Sequence, residues 1–188
     1  MDKRIDQAFE RVGRAQFMRS DSRHLADVDN AMPIGHGQTI SQPYTVRLML
    51  KWLDPQPGEK ILDVGSGSGW TTALLSYLVG SKGKIYAVER IPELLKFGRE
   101  NNKRFDTKNA QFFPAGKKFG LPEHAPFDRI LVSASPDELP QELVEQLKVG
   151  GKMVIPVQND ILEITKESKN DIEIKKHPGF VFVPLISK

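Results

Sequence analysis

Apolar and polar positions divide the chain into an opening segment of mixed period and a longer segment of alternating short elements. Near the start, Ile5, Phe9, Val12 and Phe17 recur close to helical spacing, which predicts a helix over residues 3–18. Residues 19–40 follow neither period and read as irregular. A second helical face follows in Val46, Met49, Leu50 and Leu53, with Pro43 suited to the first turn and DPQPGEK ending it. From Lys60 the pattern changes. KILDVG, KIYAVE, AQFFPA, DRILVSAS and GKMVIPV are short apolar strand runs, and WTTALLSYLV, PELLKFGRENNKRF and DELPQELVEQLK among them are helical. Such alternation predicts an α/β fold, a mostly parallel sheet with helices on both faces. ILEITKE, DIEIKK and FVFVPLI come without intervening helices, so antiparallel edge strands are expected to finish the sheet.

Composition narrows the class without naming a chemistry. A chain of 188 residues suits one domain, here divided into a helical covering element (1–56), an α/β core (57–160) and C-terminal strands (161–188). With 27 basic against 24 acidic residues the formal charge is only +3, so nucleic acid is not an expected partner. The absence of cysteine excludes disulfides, thiolate catalysis and Cys-based zinc sites. The charged start MDKRIDQAFERV predicts no signal peptide, and no apolar run approaches the ~20 residues that cross a bilayer. A soluble, cytoplasmic monomer is therefore expected. The four histidines, His24, His36, His124 and His177, have no metal-binding or triad spacing, and no metal site is expected.

The chemistry concentrates in LDVGSGSGW, residues 62–70, which joins a strand to a helix. Gly65, Gly67 and Gly69 permit a sharp turn and close approach of backbone to a ligand. Glu89, twenty residues after Gly69, ends the next strand, where a carboxylate can accept hydrogen bonds from both hydroxyls of a ribose. A dinucleotide fingerprint would need glycine at position 70 or 72, which hold Trp70 and Thr72, and no P-loop is present. S-adenosylmethionine, with a ribose but no phosphate, is the ligand left. Further upstream, PIGHGQTISQPY places Ser41 as the expected N-cap of the helix opening at Gln42–Pro43. Free amides and the positive end of the helix dipole there would suit a carboxylate. On local sequence alone, a serine that merely caps its helix is the alternative.

Several segments together carry a resemblance. MPIGHGQTISQP, ILDVGSGSGW, VERIPEL, GLPEHAPFDRILVSA, LPQELVEQLKVGGKMVIPV and FVFVPL are similar, in order and spacing, to the protein-L-isoaspartate O-methyltransferase family, over about residues 6–185. The resemblance implies a class I S-adenosylmethionine-dependent methyltransferase fold. It implies methylation of the free α-carboxylate of L-isoaspartyl residues in damaged proteins and peptides, and protein repair through a succinimide. It further implies that Ser41 sits beside the reacting carboxylate. Ile34, Gly35, Ser41 and Val183 are implied to meet the peptide. Thr39, Ile40, Gln42, Asp63, Gly65, Ser66, Gly67, Ser68, Gly69, Glu89, Arg90, Gly116 and Lys117 are implied to hold the cofactor. One departure stands out. The family's G-D-G triplet, whose aspartate accepts from the adenine amino group, is Ala115-Gly116-Lys117 here, and the carboxylate is missing. A methyltransferase with another acceptor, such as RNA, and a family member that has lost cofactor binding are the competing readings.

Overall fold

A computed structural model describes residues 3–105 and 107–186; the outer limits 1 and 188 of the expected domain and Asp106 of the basic run NNKRFDTKN lie outside the described residues. The elements in chain order are α1 (Lys3–Arg11), the hairpin β1 (Met32–Gly35) and β2 (Gln38–Ile40), α2 (Pro43–Leu53), β3 (Lys60–Val64), α3 (Trp70–Val79) and β4 (Lys84–Glu89). After them come α4 (Pro92–Lys103), β5 (Ala110–Pro114), β6 (Phe127–Val132), α5 (Gln141–Gln146), β7 (Leu147–Val157), β8 (Asp160–Lys166) and β9 (Ile172–Pro178). Strands β5-β4-β3-β6-β7-β8-β9 form a seven-stranded sheet. Its first five members are parallel, and β8 and β9 are antiparallel, as the missing helices predicted.

The core has two layers because successive residues of a strand face opposite ways. Ile61, Ile85, Leu131 and Val154 pack towards α1, α2 and α3, whereas Leu62, Ile130, Met153 and Leu143 of α5 form the other cluster. Each burial of such a side chain is worth about 1.5–3 kcal/mol. Strand order reverses between β3 and β6, each of which the chain leaves in opposite directions across the sheet. A crevice opens at their carboxyl ends, the usual ligand position in open α/β sheets.

Three expectations are corrected. The first helix ends at Arg11 and continues after Gly13 only as a 3₁₀ turn, Arg14–Phe17. Residues 32–40 form a hairpin, hidden in the sequence because its strands have four and three residues and its turn, His36-Gly37, takes φ of 55° and 70°. The segment FVFVPLI is no ladder strand. The Val183 carbonyl accepts from the Ser135 amide and the Leu185 amide donates to the Ser135 carbonyl, both at 2.8 Å, a single parallel bridge.

Candidate functional site

The crevice is an open cavity bounded by the glycine loop, the ends of β4 and β6, the β2–α2 connection and residues 183–186. Its sheet-side wall follows from local sequence. After β3, Gly65, Gly67 and Gly69 all take positive φ (77°, 50° and 83°), conformations that glycine adopts without a Cβ clash. The three are not equivalent. A Cβ on Gly67 would lie 3.2 Å from Ile34 of the hairpin, whereas one on Gly69 would lie 2.3 Å from Nδ2 of Asn102 and 2.9 Å from the Gly98 carbonyl. Gly69 therefore serves the packing of α4 against the loop and does not line the cavity. Asn101 and Asn102, both buried on α4, donate to the carbonyls of Ser68 (3.0 Å) and Gly69 (2.8 Å) and fix the loop from behind. Nothing local in the sequence marks these two asparagines, because the run that contains them reads as an exposed helix end.

Glu89 closes the same wall. Its Oε2 accepts from the Gly67 amide and its Oε1 from the Ile91 amide, both at 2.9 Å. Held by two amides, the carboxylate keeps a fixed orientation, and each oxygen retains a lone pair for a hydroxyl in the cavity. Asp63 lies deeper, fully buried, with Oδ2 accepting from Thr71 (2.9 Å) and Thr72 (2.6 Å) and Oδ1 without a partner. Burial pushes its carboxyl up to about 6, against the two hydroxyl bonds that lower it, and the Glu89 charge pushes in the same direction as burial. Asp63 does not reach the cavity surface; Thr71, which does, stands between. Ser66 lines the cavity, and its hydroxyl oxygen is buried without a partner.

The opposite wall comes from the β2–α2 connection. Ile34, Thr39, Ile40 and Ser41 line it, while Gly35 and Gln42 do not. The expected cap is corrected here. Gln42, not Ser41, is the N-cap of α2, and it makes no side-chain capping bond. Asp29 does the capping from the preceding loop: Oδ1 accepts from the Tyr44 amide (2.8 Å) and Oδ2 from the Gln42 side chain (3.1 Å). Pro43 contributes no N–H. The helix tip expected to receive a substrate carboxylate thus already holds one of the protein's own. Ser41, half-buried and relieved of capping, is left facing the cavity.

At the third side, Ala115, Gly116 and Lys118 line the cavity, and Lys117 does not. Gly116 is exposed and a Cβ there would meet nothing within 4 Å. Gln146 of α5 braces the loop beyond, accepting from the Leu121 amide (2.7 Å) and donating to the Phe119 carbonyl (2.9 Å). Arg90, Ile91 and Leu94 continue from Glu89, and Val183 closes the edge. These residues fit a nucleoside-bearing ligand: a fixed acid for a ribose, apolar flanks for a base, and an orphaned hydroxyl at Ser66. Among the described residues, no group of three or more His, Asp or Glu side chains is placed to hold a metal.

Sheet order, glycine loop, strand-end acid and crevice define a class I S-adenosylmethionine-dependent methyltransferase fold. A protein-L-isoaspartate O-methyltransferase structure from Plasmodium falciparum, in complex with S-adenosyl-L-homocysteine, has a TM-score of 0.89 and 29% identity, covering 100% of this chain and 92% of that one. Protein-L-isoaspartate O-methyltransferases of Methanothrix thermoacetophila and Pyrococcus horikoshii are 43% and 41% identical, the matches covering 100% and 99% of this chain and 90% and 86% of theirs. The family model of protein-L-isoaspartate(D-aspartate) O-methyltransferase matches residues 1–188. The chain belongs to that family.

Proposed function

We propose that this protein transfers a methyl group from S-adenosylmethionine to the free α-carboxylate of L-isoaspartyl residues in damaged proteins and peptides. The observation that carries this reading is the arrangement of Ser41 and the Gly65–Glu89 wall around one cavity in a chain of this family. When bound, S-adenosylmethionine supplies an electrophilic methyl group on a sulfonium. Glu89 receives the ribose hydroxyls. Gly65, Ser66, Gly67 and Ser68 present backbone to the ligand, and Thr39, Ile40 and Arg90 complete its surroundings. Asp63 acts from behind Thr71, as a buried negative charge facing a cationic ligand. Gln42, Gly69 and Gly35 support these groups from outside the wall.

Ser41 offers its hydroxyl proton to one oxygen of the isoaspartyl carboxylate and leaves the other free to attack. The carboxylate is ionised at neutral pH, so no general base is needed. Alignment is the larger requirement, and fixed near-attack placement can supply several kcal/mol of the barrier, about 7 or more in favourable cases. Ile34 and Ile40, both buried, line the cavity beside Ser41 and exclude water from a charge that the reaction neutralises. Val183 borders the path of the peptide. Residues 1–56 act as the cover, 57–160 as the cofactor-binding core and 161–188 as the closing strands.

The reading includes a cytoplasmic monomer that acts on protein and not on nucleic acid. Ser133-Ala134-Ser135-Pro136 after β6 offers neither the acid or amide nor the aromatic ring that would suit an exocyclic amine. No helix among the described residues is long and apolar enough to cross a membrane. The test is transfer of labelled methyl to an isoaspartyl peptide set against the matching aspartyl peptide. Label on the first alone is expected; equal label on both, or none on either, overturns the proposal. The open side at Gly116 favours one second reading, a family member that has lost cofactor binding. Calorimetry with S-adenosylhomocysteine separates the two, since only the second predicts no heat at millimolar ligand.

A further inference from the structure

Arg14 takes part in neither wall directly, yet its guanidinium is gathered into an unusual set of contacts. The residue is 6% exposed, and its Nη1 donates to the carbonyls of Ala26 (3.2 Å) and Val28 (3.1 Å). Nη2 donates to Asn30 (2.6 Å), Ile40 (3.4 Å) and Ser41 (3.0 Å), again to carbonyls. Its charge lies 5.6 Å from the centre of the Trp70 ring, whose Nε1 donates to the Val12 carbonyl at 3.1 Å. Trp70 is the first residue of α3, directly after the glycine loop, and it lines the cavity.

The acceptors fall on two segments that no long strand pairing fixes: residues 26–30, and the exit of β2 at 40–41. The first segment carries Asp29, which caps α2, and the second carries Ser41. One cation therefore holds the serine's own carbonyl, the loop that caps the following helix, and the aromatic ring on the cofactor side. The two terminal nitrogens of a planar fork suit such a spread of acceptors, although Nε is buried without a partner; a lysine ammonium presents its three donors at a single point.

We propose that Arg14 is a positioning residue: it sets the place of Ser41 in the cavity and couples the covering segment to the helix that follows the glycine loop. This rests on the reading that Ser41 meets the isoaspartyl carboxylate. Substitution of Arg14 should then impair alignment more than cofactor binding, because the glycine loop and Glu89 are fixed by α4 and β4 independently of it.

The test uses the full chain with Arg14→Lys. Hydrogen exchange at the amides of residues 26–30 and 38–42 is expected to rise about tenfold or more, with those of β3 and β4 unchanged. Turnover on an isoaspartyl peptide should fall about ten- to a hundredfold. Affinity for S-adenosylhomocysteine should stay within about threefold. Adding Ser41→Ala to Arg14→Lys should cost much less turnover than adding it to the unmodified protein, the mark of residues acting as a unit. Unchanged exchange at 38–42 overturns the proposal whatever the activity. So does a loss of cofactor affinity equal to the loss of turnover, or independent effects of the two substitutions. If the unmodified protein methylates no isoaspartyl peptide, the functional reading fails, and the exchange measurement still decides the role of Arg14. Should Arg14→Lys not fold, Arg14→Gln carries the same measurements; failure of both to fold would make Arg14 a stability residue only and overturn the proposal.

Discussion

The cavity's two main walls are built by different means. On the sheet side, Glu89 and the glycine loop sit at the ends of β4 and β3, and their partners, Gly67, Ile91, Asn101 and Asn102, belong to the same β-turn-α units. On the covering side, Ser41 sits in a connection whose place depends on Arg14, 27 residues away, and on Asp29 in a loop without regular structure. Regular elements bring their own hydrogen bonds, so the first wall is stiff before any ligand arrives. Side chains reach to backbone in both walls, but those of the first, Glu89, Asn101 and Asn102, stand on β4 and α4, whereas Asp29 of the second stands in a loop, and such segments open at lower free energy. That division suits a reaction in which the nucleoside must be gripped while a protein segment enters and leaves.

The sharpest way to break the contrast is to remove the acid from the stiff wall. Glu89→Ala deletes the ribose acceptor and strands the amides of Gly67 and Ile91, both now bonded to it at 2.9 Å. Loss of charge-assisted bonds costs about 1.5–3 kcal/mol each, so S-adenosylhomocysteine affinity should fall on the order of a hundredfold or more, read by calorimetry. A drop of only a few-fold would mean that the sheet-side wall does not hold the ribose.

Asp63 probes the same wall from behind, through pH. Its carboxyl is raised from 3.8 to about 6, so the folded protein binds its proton more tightly than the unfolded chain does. The cost of burying the charge is therefore absent below pH 3.8, grows as the pH rises to about 6, and is complete above that. The stability of the protein relative to Asp63→Asn should decline over this window by up to about 3 kcal/mol, then level off. Denaturant titrations of both proteins at several pH values measure the difference, in which the other carboxylates cancel. A difference independent of pH would place Asp63 in a more polar setting than its burial indicates.

Ser41→Ala tests the covering wall. If the hydroxyl aligns the carboxylate, turnover should fall on the order of thirtyfold, about 2 kcal/mol, while S-adenosylhomocysteine affinity stays nearly unchanged. Because Asp29 and not Ser41 caps α2, the melting temperature should move little. Equal losses in turnover and cofactor affinity would assign Ser41 to the cofactor instead.

The same contrast accounts for what the sequence disclosed. Short apolar runs and a glycine loop make β3, β4 and the Glu89 strand end readable, since each depends on neighbours within a few residues. The hairpin at 32–40 is hidden because strands of four and three residues broken by Pro33, Gly35 and Gly37 show no alternation. The cap of α2 is hidden for a related reason. A serine before Gln-Pro is a fair local candidate, but the bond comes from Asp29, fifteen residues from the amide it satisfies. Arg14, Asn101 and Asn102 left no trace either, because their meaning lies in carbonyls that only tertiary packing brings to them. Gly69 was recognised as necessary, though its space is taken by Asn102 of α4 and not by a ligand.

The smallest expected effect concerns the third side, where the resemblance implies an aspartate that this chain lacks. Gly116 lines the cavity, has an ordinary backbone conformation for a side chain, and would meet nothing within 4 Å on gaining a Cβ. Gly116→Asp therefore supplies the carboxylate that the resemblance implies, without a clash, and a single added hydrogen bond is worth about 1 kcal/mol. S-adenosylhomocysteine should bind about tenfold more tightly. The control is S-inosylhomocysteine, whose base carries an oxygen in place of the amino group and should gain nothing or lose affinity beside an acceptor. An equal gain for both ligands would point to a general electrostatic effect of the new charge beside Arg90 and Lys118, not to contact with the base. No gain for either would mean that the base lies elsewhere than against the loop after β5, away from Ala115, Gly116 and Lys117.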